Sequence, residues 1–265
     1  MMRRFKLGVV LLCLLLCGIA VPAHATVDWV EDFDVSDATF WARWSESCQS
    51  NPALSTDRAH SGTKSLKLVF TGRVGINPGA GGCYLDRNLN AVSDTAYFRV
   101  WTYQVNFQAD SVGTKMFKFG QDASYPNFWW EMALSSEAMM MAVTTPDPPS
   151  FNIFASVTIP QNQWVCLEGR ITMNTPGVAD GIVQSWVNGV ADLNRTNLLL
   201  RNAVLTQKNG PNSRIQFTQI YIQHGVGTLY YDDYAVSRDA RIGCGGTLPV
   251  GDTTPPTAPS SLVAQ

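Results

Sequence analysis

WVCLEGRITMNTPGVADGIVQSWVNG, residues 164–189, reads as a strand, a turn and a second strand in succession. Trp164 opens a run of apolar and β-branched residues in which Glu168 and Arg170 share one face by period two. Thr175-Pro176-Gly177 and Asp180-Gly181 are turn residues. The second run carries Gln184 and Trp186 on one face and stops at Asn188-Gly189, a dipeptide suited to a two-residue hairpin turn.

The same texture extends in both directions. Runs rich in Val, Ile, Phe, Tyr, Trp and Thr occupy 26–33, 64–70, 82–89, 96–107, 115–120, 128–134, 138–143, 213–223 and 228–237, separated by Gly, Pro, Asn and Asp clusters. In 64–68, Leu66 and Leu68 alternate with Ser65 and Lys67. No long apolar pattern of helical period has caps at both ends, although a helical turn fits near 36–41. About eleven strands at this spacing predict an all-β chain folded as a two-sheet antiparallel β-sandwich or jelly roll.

Residues 1–25 have the form of a secretory signal peptide: Arg3, Arg4 and Lys6, then an apolar run, then Pro-Ala-His-Ala. The apolar run is too short for a membrane anchor. Export, to the periplasm or beyond, is therefore expected, with no membrane insertion. Removing the leader takes three of 19 basic residues and none of 21 acidic ones, leaving 16 against 21, a net charge of −5. That balance disfavours nucleic acid as a partner. Four of six cysteines remain: Cys48, Cys83, Cys166 and Cys244. An even number in an exported chain suggests two disulfides. Three pairings are open; Cys48–Cys83 with Cys166–Cys244 is favoured, because the first two sit in neighbouring polar loops. Residues 26–245 suffice for one sandwich domain, and 246–265 form a Thr/Pro-rich linker.

Four pieces together resemble the concanavalin A-like (laminin G-like) jelly rolls of extracellular carbohydrate-active proteins: WVEDFD (29–34), HSGTKSLKLVF (60–70), the 164–189 unit and YYDDYAVS (230–237). The tail, DTTPPTAPSSLVAQ, resembles the linker and first strand of a fibronectin type III domain, so further domains are expected beyond Gln265. The resemblance implies a polysaccharide partner, and a fold that hosts glycosidases, lyases and binding modules alike. It also implies that the first and last strands lie together. EDFD would then approach Asp232 and Asp233, whose side chains should point to opposite faces. Two acidic clusters brought together favour a cation, and a structural Ca²⁺ is expected among Asp32, Asp34, Asp232 and Asp233; pairing with Arg238, Arg241 or a tyrosine is the plainer alternative.

No E-x-D-x-x-E strand supplies the paired carboxylates of a retaining glycosidase. Elimination on a uronate needs a group that neutralises the carboxylate, a base and an acid. If the strand faces form one concave sheet, Lys118, Arg170 and His224 are the candidates for that chemistry. Trp129, Glu131, Glu168, Gln184 and Trp186 are then candidates for holding sugar. Glu168 and Arg170 also read simply as a same-face ion pair, and the tryptophans as core. The sequence therefore predicts a secreted module that binds extracellular polysaccharide, with a uronate-specific polysaccharide lyase as the alternative.

Overall fold

The structure is a computed structural model that describes residues 27–46, 52–72, 83–109, 114–120, 127–132, 138–144, 151–201, 203, 214–223 and 225–245. The leader, the tail, Cys48 and His224 lie outside the described residues.

Among the described residues fifteen strands and one helix follow in order: β1 (Val27–Glu31), α1 (Asp37–Arg43), β2 (Ser45–Glu46), β3 (Ala53–Ser55), β4 (Ser65–Gly72), β5 (Cys83–Ser93), β6 (Thr95–Gln108), β7 (Thr114–Gly120) and β8 (Asn127–Met132). Then come β9 (Ala138–Thr144), β10 (Phe151–Thr158), β11 (Trp164–Thr172), β12 (Gly181–Val187), β13 (Val190–Leu198), β14 (Ile215–Gln223) and β15 (Gly225–Ser237). They form two antiparallel sheets. One has eight strands in the order β13-β12-β11-β6-β15-β4-β3, with β1 also on β15; the other has seven, β10-β9-β8-β7-β14-β5-β2. This is the two-sheet sandwich the sequence predicts. Among the described residues no helix is long and apolar enough to cross a membrane.

The core lies between the sheets and follows strand parity. Phe98 and Val100 of β6, Leu167 and Ile171 of β11, and Val183 of β12 meet Leu85 of β5, Phe117 and Phe119 of β7, and Ile220 of β14, all buried. Phe98 and Phe119 stack across the gap at 5.1 Å. Asn188 (φ 49°) and Gly189 (φ 80°) close the β12–β13 hairpin, and this left-handed pair is what a two-residue turn requires. Helix α1 starts at Ser36, whose Oγ accepts from Thr39 N at 3.2 Å, and its Phe40 is buried.

Strand β15 organises the molecule. Its first half pairs with β4 and its second half with β1, so Glu31 lies opposite Tyr234 and Val27 opposite Ser237. The first and last strands are thus neighbours. Past Ser237 the chain turns back over the outer face of the eight-stranded sheet as a strap, tied down by the Cys166–Cys244 disulfide.

Candidate functional site

The two acidic clusters meet at one loop, residues 60–64. Asp34 Oδ1 accepts from Thr63 N (2.9 Å), Thr63 Oγ1 (2.8 Å) and Lys64 N (2.9 Å). Gly62 is needed there: its φ is +59°, and a Cβ on it would lie 1.4 Å from Asp34 Oδ2. Asp232 Oδ2 accepts from His60 N (2.6 Å) and Ser61 N (3.2 Å). Asp233 takes the His60 ring through Nδ1 (2.6 Å) and the Ser61 hydroxyl (2.7 Å).

The expectation that Asp232 and Asp233 face opposite ways is corrected. Both are buried, and both address the same loop. Asp233 sits in the left-handed region at φ 48°, where the β15–β6 register shifts between Asp232 and Ala235. Such a bulge breaks strict alternation and re-aims a side chain. Burial, with Asp233 adding to it, pushes the Asp232 carboxyl up to about 7. Burial pushes Asp233 up as well, but the hydrogen bonds from His60 and Ser61 outweigh it and hold that carboxyl below its usual range. Asp32 is exposed and accepts from Asp34 N at 3.1 Å. As cation ligands, Asp34 and Asp232 share the loop but present their carboxylates to its N–H groups. The one tight group of three ligand-type side chains among the described residues is Cys166, Glu168 and Cys244, which are already occupied by the disulfide and an ion pair.

The residues proposed for sugar chemistry fall on two different sheets. Arg170, Glu168, Gln184 and Trp186 belong to β11 and β12, in the eight-stranded sheet. Lys118, Trp129 and Glu131 belong to β7 and β8, in the seven-stranded sheet, and Gln223 at the end of β14 precedes His224. The single concave surface uniting Arg170 with Lys118 does not form. Their positions lie on the outward parity of opposite sheets, with the core between them.

On the eight-stranded sheet Glu168 does not pair with Arg170. Its carboxylate takes Arg241 Nε (3.1 Å), Arg241 Nη2 (2.5 Å) and Gly243 N (2.8 Å), all from the strap. Arg241 also lies over the Trp186 ring at 4.4 Å. Glu168 is buried as a result. Beneath the same strap is Arg99, whose guanidinium burial lowers from its ordinary value while Asp233 and Glu168 pull it back up. Arg170 instead donates to Thr172 Oγ1 (3.0 Å) and Gln184 Oε1 (3.1 Å) and lies 5.4 Å from the Tyr97 ring.

On the seven-stranded sheet the parity is set by Thr218, Ile220, Phe117 and Leu85, which are buried, and by the Thr218 hydroxyl meeting that of Tyr234 across the core. The opposite parity forms a row by backbone register: Asp86 opposite Gln219, Gln219 opposite Lys118, Lys118 opposite Trp129, Trp129 opposite Ala142. Beside it Tyr84 lies opposite Tyr221. Lys115 lies opposite both Glu131 and Gln223. Gln219 is 1 % exposed although it lies on the side away from the core. In the β7–β8 register Trp130 lies opposite Phe117 and Trp129 opposite Lys118.

Asp86, Gln219, Tyr84 and Tyr221 do not figure among the sequence candidates. The signal for them is plain alternation: TQIYIQ places Gln219, Tyr221 and Gln223 on one parity, and CYLDRN places Tyr84 and Asp86 on one parity.

No family model matches the chain, and no curated protein matches it in sequence. Solved structures do match. The endo-β-1,4-glucuronan lyase of the fungus Trichoderma reesei superposes with TM-score 0.59 at 12% identity over 80% of this chain and 95% of its own. The marine alginate lyase from Aplysia kurodai superposes with TM-score 0.59 at 14% identity over 81% of this chain and 100% of its own. A carbohydrate esterase from Shiga toxin-encoding bacteriophage phi24B superposes with TM-score 0.54 at 13% identity, over 82% of this chain and 100% of its own. The shared property is the fold, an antiparallel two-sheet β-sandwich.

Proposed function

We propose that this chain is a polysaccharide lyase acting on a uronate-containing glycan by β-elimination, at the outer face of the seven-stranded sheet. The observation that carries the reading is the register row Asp86–Gln219–Lys118–Trp129, with Tyr84 and Tyr221 alongside. Elimination removes the proton at C5 of a uronate and breaks the C4–O bond. The electron pair left on C5 becomes the C4=C5 double bond, and the leaving oxygen takes up a proton. An amide or ammonium that binds the uronate carboxylate stabilises the charge that develops when C5 loses its proton. Gln219 and Lys118 are the candidates for that role. A tyrosine at the position of Tyr84 or Tyr221 is suited to moving the proton, as base, as acid or as both. Trp129 provides an aromatic surface for a sugar ring. The names of the glucuronan and alginate lyases among the structural neighbours support the substrate class.

A structural Ca²⁺ belongs to the same reading. It would rest beside the 60–64 loop, held by Asp232 and Asp34, and its positive charge would favour the ionised form of Asp232 that burial and Asp233 disfavour. Its role is to fix the junction of the first and last strands.

The test is incubation with polyglucuronate, polymannuronate and polyguluronate while following ultraviolet absorbance. A lyase makes an unsaturated uronate at each cut, so absorbance rises. Lys118→Ala should lower turnover by about 100-fold or more, the scale of one transition-state contact. Binding of these polymers with no rise in absorbance on any of them would replace this reading with that of a non-catalytic polysaccharide-binding module.

A further inference from the structure

The geometry points to a second polysaccharide site, on the opposite face of the molecule: the outer face of the eight-stranded sheet binds an acidic polymer through two arginines laid on tyrosines, Arg170 on Tyr97 and Arg58 on Tyr103. This does not rest on the elimination chemistry proposed above, because it involves the other sheet and no bond making.

Strand β6 carries both platforms. Tyr97 and Tyr103 share its outward parity and are half-buried. Six residues of strand separate them by about 20 Å. At one end the Arg58 guanidinium lies 4.4 Å from the Tyr103 ring and donates to the Tyr103 hydroxyl at 3.1 Å. Trp164 stands edge-on to the same ring at 5.5 Å. At the other end Arg170 lies over Tyr97 and begins a row of amides, Arg170 to Gln184 to Asn194, linked at 3.1 and 3.0 Å.

The charge bookkeeping selects the ligand. Among the described residues neither Arg58 nor Arg170 has a carboxylate partner; their partners are tyrosine, threonine and glutamine. Glu168, the acid nearest Arg170 along its own strand face, is taken by Arg241 of the strap. The strap thus removes the counter-charge that would otherwise neutralise Arg170. An arginine held over a ring and hydrogen-bonded only to neutral groups keeps its remaining N–H donors for an anion, and a guanidinium matches a carboxylate in two-point geometry. Two such points about 20 Å apart, one on each side of the strap where it crosses β6 at Arg99, suit an anion repeated along a chain rather than a single small acid. The amides of half-buried Gln184 and exposed Asn194 suit sugar hydroxyls. A uronate polysaccharide offers all of this.

The experiment is affinity electrophoresis through gels containing alginate or polyglucuronate. The background is Lys118→Ala, so that the polymer is not cut during the run. Carboxyl-reduced alginate is the neutral counterpart. The expected result is retardation by the acidic polymers that weakens with salt and is lost with the carboxyl-reduced one. Arg170→Gln and Arg58→Gln should each raise the apparent dissociation constant about tenfold, the scale of one charge-assisted contact. Arg170→Lys should lose less than Arg170→Gln. Unchanged circular dichroism and melting establish that each variant is folded; should Arg170→Gln not fold, Arg58→Gln carries the test alone. Retardation in the double arginine variant equal to that of the background overturns the proposal and leaves the seven-stranded face as the binding surface. Equal retardation by the carboxyl-reduced polymer, or equally tight binding of a DNA duplex, overturns it too. Turnover by the parent protein is a separate readout, so either proposal can fail alone.

Discussion

Replacing Glu31 with leucine should destabilise the fold by about 3 kcal/mol. Glu31 is fully buried between the sheets. Its carboxylate meets Arg43 Nη1 at 3.2 Å, Arg87 Nη1 at 3.1 Å and Trp44 Nε1 at 3.2 Å. These partners tie β1 of one sheet to β5 of the other and to α1. Burial pushes the Glu31 carboxyl up, against the pull of Arg43 and Arg87, and pushes the Arg87 guanidinium down to about 10, against the pull of Glu31. Removing one member of a buried pair costs about 3–5 kcal/mol, since the other is left uncompensated. Two corrections reduce the cost. Arg43, at 26% exposure, can turn to water, whereas Arg87, at 15% and lying on the Trp29 ring, cannot do so easily. The leucine regains about 1–2 kcal/mol of apolar burial. The net of about 3 kcal/mol corresponds to a fall in melting temperature of about 6–12 °C for a domain of this size. Urea unfolding at constant m-value measures it. The double variant Glu31→Leu/Arg87→Leu should recover most of the loss, because no buried charge is then orphaned. A single-variant cost under about 1 kcal/mol, or a double variant no better than the single, refutes the argument.

Two further outcomes follow from the charged clusters. Burial pushes the Asp94 carboxyl up, but hydrogen bonds from Arg201 (2.8 Å) and Arg214 outweigh it and hold its pKa below the ordinary value. A depressed folded pKa stabilises above the unfolded value of about 3.9, and that stabilisation disappears as pH falls through the folded one. Asp94→Asn should therefore cost about 1 kcal/mol or less at neutral pH, Asp94 being half exposed, with the gap to the parent closing in strong acid. Urea midpoints at the two pH values check this, and a gap that widens in acid contradicts it. Calcium at about 100 times its dissociation constant should stabilise the protein by about 2.7 kcal/mol relative to chelator, and Asp232→Asn should abolish the response. Identical melting curves with calcium and with chelator would remove the ion from the account.

The parts of the fold that local chemistry specifies are legible in the sequence. Alternation in 164–172 and 181–187 marks β11 and β12, and Asn188-Gly189 marks their exit turn. Strand β13 is harder to see because VADLNRTNL is an edge strand with most of its side chains in water, so no apolar period announces it. The bulge at Asp233 is invisible to parity reasoning, since a left-handed aspartate leaves no mark in composition. The site is less legible than the fold because sheet membership is a long-range property. Arg170 and Lys118 both read as outward-facing strand residues, and only the strand order separates them. Glu168 likewise looks like the partner of Arg170 two residues away, but its counter-ion arrives from Arg241, 73 residues on. The row through Gln219 is assembled from β5, β14, β7 and β8, so its alternation is visible strand by strand and its alignment only in the sheet.

The most direct measurement is ultraviolet absorbance during incubation of the parent protein and of Lys118→Ala with homopolymeric uronates. The account predicts steady formation of unsaturated product by the parent on at least one uronate polymer, and loss of about 100-fold or more in turnover in the variant. New reducing ends on a neutral glucan, or acetate released from an acetylated polymer, without any unsaturated product from a uronate, would contradict it.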